Sequence, residues 1–341
     1  MKVVYSEKHQ SHDPQTFLVR GRMTRSAEQP ERADRLLAGI HAGGHTLVAP
    51  EDFGPGPRAA VHTPEYLEFL ETAWARWQAL PDASDEVIAN VRPMTGYASY
   101  PTGIVGRAGY HMADSGTPVG QGTWNAAVWA AHSAVHAAAL VAEGERVAYA
   151  LCRPPGHHAY ADKAGGFCFL SNTAIAAEWL TRRRRRVAVL DVDVHHGNGT
   201  QGIFYRRPDV LTVSLHADPA EFYPYFVGYA AERGEGDGLG YNLNLPLALG
   251  TADDGYLQAL DIALARIRAF AADTLVVALG LDAYEGDPLK GLAITTPGFA
   301  RIAQAIAGLK LPTVLVQEGG YLAPELGDNI RSFLTGFESR L

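Results

Sequence analysis

The chain has 341 residues and carries 29 basic against 37 acidic side chains, a net charge of −8 at neutral pH, with 47% of its residues apolar and 19% charged. That composition folds rather than stays disordered, and its acid excess argues against nucleic acid as a partner. No stretch reaches the roughly 18 to 20 uninterrupted apolar residues of a membrane helix, and the N-terminus lacks the apolar core of a signal peptide, so a cytoplasmic protein without a membrane partner is expected.

In chain order, short runs rich in β-branched residues predict strands over 2–5, 147–151, 187–193, 210–215, 275–279 and 313–317. Segments of helical period predict helices over 31–41, 64–80, 124–143, 172–185, 255–272 and 299–308. The Ala-rich helix over 124–143 has Thr123 as its expected cap and Gly144 as its stop. Strands alternating with helices make crossover units and a mostly parallel sheet. No Pro/Gly/Ser linker interrupts that rhythm after Val147, so one α/β domain over 1–341 is expected. Residues 81–123 and 217–239 break the pattern, and loops of such length in a compact domain are usually functional. The basic run from Arg182 to Arg186 closes a predicted helix, where positive charge complements the macrodipole; it reads as a solvated helix end. Cys152 and Cys168 form no CxxC pair, which excludes a thiolate zinc site of that type, and two cysteines are too few for a disulfide scaffold.

The polar clusters all follow strands. One strand runs into Pro154-Pro155-Gly156-His157-His158, another into Asp191-Val192-Asp193-Val194-His195, and others end at His216, Asp282 and Glu318-Gly319-Gly320-Tyr321. The carboxyl ends of parallel strands share one edge, so these residues are expected to meet there. Alternation along a strand turns Asp191, Asp193 and His195 to one side, with Val192 and Val194 on the other. Two of the three, with Asp282 from another strand, make a three-ligand catalytic zinc site with an open position for water. A binuclear centre needs more carboxylates, and position 284 is Tyr, so a single metal fits better. Lone acids more often cap helices or loops; the clustering favours metal here. On the rigid Pro-Pro-Gly turn, His157 and His158 can act as general base and electrostatic partner, with Asp191 and Asn198 fixing their tautomers. Tyr321, after two glycines, can donate to a developing oxyanion. These groups together suggest metal-dependent hydrolysis of an amide or ester.

Five ordered motifs, Arg153 to Ala159, Gly165 to Phe169, Asp191 to Thr200, Ser214 to His216 and Glu318 to Tyr321, resemble the zinc-dependent deacetylases of the arginase-deacetylase fold. Within that fold the chain most resembles bacterial acetylpolyamine amidohydrolases, from Val3 to about Gly336. The resemblance implies a single domain with an eight-stranded sheet. It also implies Asp193, His195 and Asp282 as zinc ligands (Fe2+ suits the same set), His157 paired with Asp191, His158 paired with Asn198 as general base and acid, and Tyr321 as oxyanion donor. Asn198, a neutral amide where a carboxylate would raise basicity more, gives the two histidines different proton affinities. Structural K+ or Na+ ions are implied near Asp191, Asp193, His195, Ser214 and Leu215, and near Phe204, Arg207, Val210 and Tyr241.

For the substrate channel the resemblance implies Phe167 and Tyr223 as aromatic walls, Leu289 nearby and Gly166 at the turn where the chain passes. An insertion over about 74–123 is implied at a homodimer interface, its part over about 74–110 narrowing the channel in favour of slender substrates. Two departures matter: Asp114 is the one obvious acid left for a distal ammonium, and position 223 is Tyr where Phe is more usual. The expected activity is removal of acetyl from N-acetylated polyamines or diamines. The alternatives are an amidase for another small-molecule amide, a protein lysine deacetylase, or a binding protein with a retired site, the last of which would have lost ligands.

Overall fold

Strand formation follows the β-branched runs. The computed structural model describes residues 1–94, 99–183 and 186–341. Among them, eight strands form one all-parallel sheet: β1 (Lys2–Val4), β2 (Thr46–Val48), β3 (Val147–Ala150), β4 (Val187–Asp191), β5 (Val210–Ala217), β6 (Asn242–Leu247), β7 (Thr274–Leu279) and β8 (Thr313–Gln317). Their spatial order is β2-β1-β3-β8-β7-β4-β5-β6. The expected eight-stranded α/β fold is the one observed. Pattern alone missed the two edge strands: β2 has three residues, and β6 carries Pro246, which an edge tolerates. β4 ends at Asp191 rather than Asp193.

Nine helices among the described residues matter here: α1 (Glu31–Ala42), α2 (Pro64–Gln78), α3 (Ile104–His111), α4 (Thr123–Ala142), α5 (Asn172–Thr181), α6 (Asn198–Phe204), α7 (Asp253–Phe270), α8 (Thr296–Ala307) and α9 (Leu326–Glu338). Leu36, Leu260, Ile302 and Phe333 from α1, α7, α8 and α9 pack on one sheet face with Leu190, Leu211 and Val277. On the other face, alanines of α4 and α5 lie against Val189, Val276 and Val316. A second side of α4, with Ala127, Ala131 and Val135, packs under Tyr66, Phe69 and Ile104 of α2 and α3. A helix sandwiched between sheet and outer helices is buried nearly all round, which is why α4 is built of alanine.

Helices α3, α6 and α9 were not expected from pattern; α6 reads Asn-Gly-Thr-Gln-Gly-Ile-Phe, poor in helix formers. Thr123 is not the cap of α4. Gly122 holds that position, and the Thr123 hydroxyl accepts the Gly120 N–H at 2.9 Å and contacts His12 Nδ1 at 3.0 Å. Of the helix expected over 172–185 and the basic run that closes it, Arg184 and Arg185 lie outside the described residues, as do residues 95–98 of the expected insertion. An antiparallel hairpin, Phe17–Val19 with Arg22–Thr24, stands outside the main sheet. No helix of the described residues is long and apolar enough to cross a membrane.

Strands β3, β8, β7 and β4 are neighbours at the sheet centre. Their carboxyl ends carry, in that order, the tandem histidines, the Glu318 to Tyr321 turn, Asp282 and the Asp191 to His195 run. The topology therefore gathers four distant segments at one edge.

Candidate active site

Past the end of β4 the alternation continues: Leu190, Val192 and Val194 join the apolar core on one face. Asp193 and His195 turn the other way. One donor atom each from Asp193, His195 and Asp282 lies within 4.8 Å of the others. His195 Nδ1 stands 3.1 Å from Asp193 Oδ1 and 3.1 Å from Asp282 Oδ2. Both carboxylates are fully buried. Main-chain donors aim them: Asp193 accepts the N–H groups of His195 and Gly319, each at 2.8 Å, and Asp282 accepts that of Val194 at 3.1 Å. A Cβ on Gly319 would overlap the carboxylate oxygens of both Asp282 and Asp193, so only glycine permits this approach. Burial and the neighbouring Asp193 charge push the Asp282 carboxyl up, the strain expected of two acids with one imidazole between them. Asp191 stays out of this cluster.

Asp191 Oδ2 instead meets His157 Nδ1 at 2.9 Å, and Asn198 Oδ1 meets His158 Nδ1 at 2.6 Å. With each Nδ1 so engaged, Nε2 is the remaining nitrogen of both rings, whose centroids are 4.0 Å apart; that of His157 faces Asp193 Oδ1 at 3.8 Å. Burial opposes charge on His157, but Asp193 and Asp191 overcome it and hold its pKa well above the usual value. Burial, His157 and His195 hold His158 well below it. The two rings thus differ in proton affinity in the sense that carboxylate against amide predicts.

Tyr321 is buried, and burial raises its phenol far above the ordinary value, so it is a neutral donor throughout the working range. The Arg32 guanidinium lies 4.7 Å over its ring, and Asp287 accepts its main-chain N–H at 2.9 Å. Arg32 Nη2 also donates to the Glu318 carbonyl at 2.7 Å. Glu28 in turn meets both Arg32, at 2.5 Å, and Arg153, at 2.9 Å, in a fully buried charge network.

A cavity of about 510 Å³ opens onto His158, His195 and Tyr321. Phe167, Tyr223, Gly166, Leu289 and Asp114 all line it, as do Phe17, Arg20, Glu221 and Phe222. Phe167 sits edge-on to Phe17 and Tyr321 at 5.2 and 5.7 Å, and Tyr223 edge-on to His158 at 4.9 Å. Asp114 is heavily engaged: Oδ2 accepts the Tyr223 hydroxyl at 2.7 Å and the Gly166 N–H at 2.8 Å, while Oδ1 accepts the Gly116 N–H at 2.9 Å and the Thr117 hydroxyl at 3.1 Å. Sequence reasoning missed Phe17, Glu221, Phe222, Arg32, Glu28 and Asp287. Asp287 in Asp287-Pro288-Leu289 had the one usable signal, an acid five residues beyond Asp282.

At the two expected monovalent-cation positions, Asp191 and Ser214 are paired across β4 and β5, and the Ser214 hydroxyl meets His216 Nδ1 at 2.8 Å. Leu215 follows in β5. The Phe204 and Tyr241 carbonyls accept the N–H groups of Arg207, at 2.9 Å, and Thr212, at 3.0 Å. Val210 opens β5, and the Arg207 side chain pairs with Asp209 and Glu178 at 2.6 Å each.

A single α/β domain on an eight-stranded parallel sheet, with these polar side chains on its central carboxyl edge, is the architecture of the histone-deacetylase-like hydrolases. The family model for the histone deacetylase domain matches residues 26–337. The chain is 51% identical over 330 residues to an acetylpolyamine amidohydrolase of Burkholderia pseudomallei, covering 96% of this chain and 95% of the relative. It is 46% identical over 342 residues to acetylpolyamine amidohydrolase 1 of Pseudomonas aeruginosa, covering 99% of each. The crystal structure of an acetylpolyamine aminohydrolase from Burkholderia pseudomallei superposes with a TM-score of 0.95 at 49% identity, over 99% of both chains. The chain belongs to the histone deacetylase family, and it is a hydrolase of amide bonds.

Proposed function

We propose that this protein is a zinc-dependent deacetylase that converts N-acetylated polyamines or diamines to the free amine and acetate. The observation that carries the reading is the buried Asp193, His195 and Asp282 set, whose His195 lines an aromatic-walled cavity. Two buried carboxylates with one imidazole between them fit a divalent cation, because burial of such charge is otherwise costly. Those three residues would hold the zinc, or Fe2+. When bound, the ion polarises the amide carbonyl and lowers the pKa of water. His158, its tautomer set by Asn198, takes the proton from the attacking water and returns it to the leaving amine nitrogen. His157, held by Asp191, keeps positive charge beside it. Tyr321 donates its O–H to the acetyl oxygen as negative charge gathers there. Phe167 and Tyr223 flank the aliphatic chain, with Gly166 and Leu289 at the wall. Structural K+ or Na+ would sit at Asp191, Ser214 and Leu215 and at Phe204, Arg207, Val210 and Tyr241. The insertion over about 74–123 would form a homodimer contact, in a cytoplasmic enzyme that takes neither nucleic acid nor membrane as partner.

The test is a steady-state comparison on the zinc-loaded protein of N-acetylputrescine, N-acetylcadaverine, acetylspermidines, an acetyl-lysine peptide and an uncharged aryl acetamide. Acetylated diamines are expected to lead the uncharged amide by about 10- to 100-fold in kcat/KM, the worth of a charge-assisted contact. Equal or better turnover of the uncharged amide rewrites the function as a general small-molecule amidase, and peptide leading the panel rewrites it as a lysine deacetylase.

Asp114 refines the same test. Its four internal donors make it a brace for Tyr223 and Gly166 as well as a source of negative potential. Asp114→Asn is expected to lower kcat/KM by about tenfold on the uncharged amide, since the neck of the cavity loosens, and by more on the cationic amides, which also lose its negative potential. A loss confined to the cationic substrates assigns Asp114 a direct contact with the ammonium.

A further inference from the structure

Glu318 opens the turn that presents Tyr321, yet its side chain has no part in the reaction described above. It is fully buried at the end of β8, the strand between β3 and β7. Oε2 accepts two consecutive main-chain N–H groups, Gly156 at 2.6 Å and His157 at 3.0 Å. Oε1 accepts the Thr173 hydroxyl, from the first turn of α5, at 2.6 Å. β3 has ended at Ala150, so the loop carrying the tandem histidines has no strand ladder to hold it here. Asp191 and Asn198 fix how the two rings are turned. They do not fix where the main chain that bears them stands. A buried carboxyl group persists only where hydrogen bonds repay its desolvation, and here each of its oxygens has donors.

We infer that Glu318 is a positioning residue: by gripping the main chain at Gly156 and His157 it sets the distance of the His157 and His158 rings from the Asp193, His195 and Asp282 donors. The inference rests on the tandem-histidine reading given under the proposed function. Reach, not charge, is what this role requires, and two variants separate them. E318Q keeps the reach: its carbonyl oxygen takes both N–H groups and its amide donates to Thr173. E318D keeps the charge but withdraws the acceptor by one carbon–carbon bond, about 1.5 Å.

The experiment measures kcat, KM and bound metal for the zinc-loaded full chain with the fastest substrate of the panel. E318D is expected to lose about 100-fold in kcat, as sub-ångström to ångström misplacement of a catalytic group does, with KM within about twofold of wild type and zinc still bound one per chain. E318Q is expected to lose only about threefold in kcat, less charge but the same geometry. A kcat for E318D within about threefold of wild type overturns the inference, as does E318Q falling as far as E318D, or a loss that appears in KM instead. If E318D does not fold, Thr173→Val decides: it frees one carboxyl oxygen and is expected to lower kcat by about tenfold, and an unchanged kcat sinks the idea. His158→Ala, run in parallel, distinguishes the two readings. Full activity in H158A removes the tandem-histidine reading, and Glu318 with it; loss in H158A beside an active E318D removes only Glu318.

Discussion

Asp193→Asn is expected to abolish amide hydrolysis, by roughly a thousandfold or more, and to reduce bound zinc from one per chain to near zero. Asp193 supplies one of three donor atoms held within 4.8 Å, and the two left behind, His195 and Asp282, are too few for a catalytic zinc site. In the metal-free protein Asp193 faces Asp282 but also answers the charge of His157 and His195, which hold its carboxyl below the usual range, so the substitution is not expected to raise the metal-free Tm. Zinc should raise the Tm of the wild type, because a ligand that binds only the folded state stabilises it, and should leave the Tm of D193N where it was. Metal analysis, differential scanning calorimetry with and without zinc, and a chelation-and-readdition assay measure all three. Full zinc occupancy in D193N, with a rate within about tenfold of wild type, would remove this residue from the metal site.

Tyr321→Phe is expected to lower kcat by about 100- to 1,000-fold while leaving KM within a factor of about two. The split follows from what the phenol is placed to do. A neutral hydroxyl aimed at an amide oxygen gains little from the ground state and much more once that oxygen carries charge. The fold should not suffer, since the ring keeps its contacts with Phe167 at 5.7 Å and with Arg32 at 4.7 Å. Because burial holds the phenol well above its ordinary pKa, Tyr321 should impose no loss of rate in the mildly alkaline range. A rise in KM at constant kcat would make Tyr321 a binding residue instead.

The groups that were legible in the sequence are those whose chemistry is written in one short run. Asp191, Asp193 and His195 alternate with two valines, and the alternation outlasts the strand by several residues, so the side that each faces could be read without knowing where β4 stops. The division of labour, with Asp191 serving His157 and Asp193 joining His195, depends on angles that periodicity does not carry. Asp282 was legible as a lone acid closing an apolar strand. Arg32, Glu28 and Asp287 were not: Arg32 and Glu28 belong to the entry into α1, where charged residues are ordinary, and only the folded chain brings them beneath the Tyr321 turn. Glu221 and the Phe17 hairpin were equally silent, because a cavity wall assembled from loops has no period. The edge strand β2 escaped pattern for a related reason, since three residues cannot show an alternation.

Of the eight strands described for the sheet, β8 comes last in sequence yet lies inside it, with β3 on one flank and β7 on the other. A nascent chain that has emerged only as far as β7 therefore holds two partial sheets, β2-β1-β3 and β7-β4-β5-β6, each with an open edge and nothing to join them. The tandem-histidine loop, beyond β3, cannot meet Asp193, His195 and Asp282, beyond β4 and β7, until residues 313–317 have left the ribosome and slotted between the two parts. Such a chain folds late and through non-local pairing, and during translation it presents apolar strand edges that a holding chaperone would recognise.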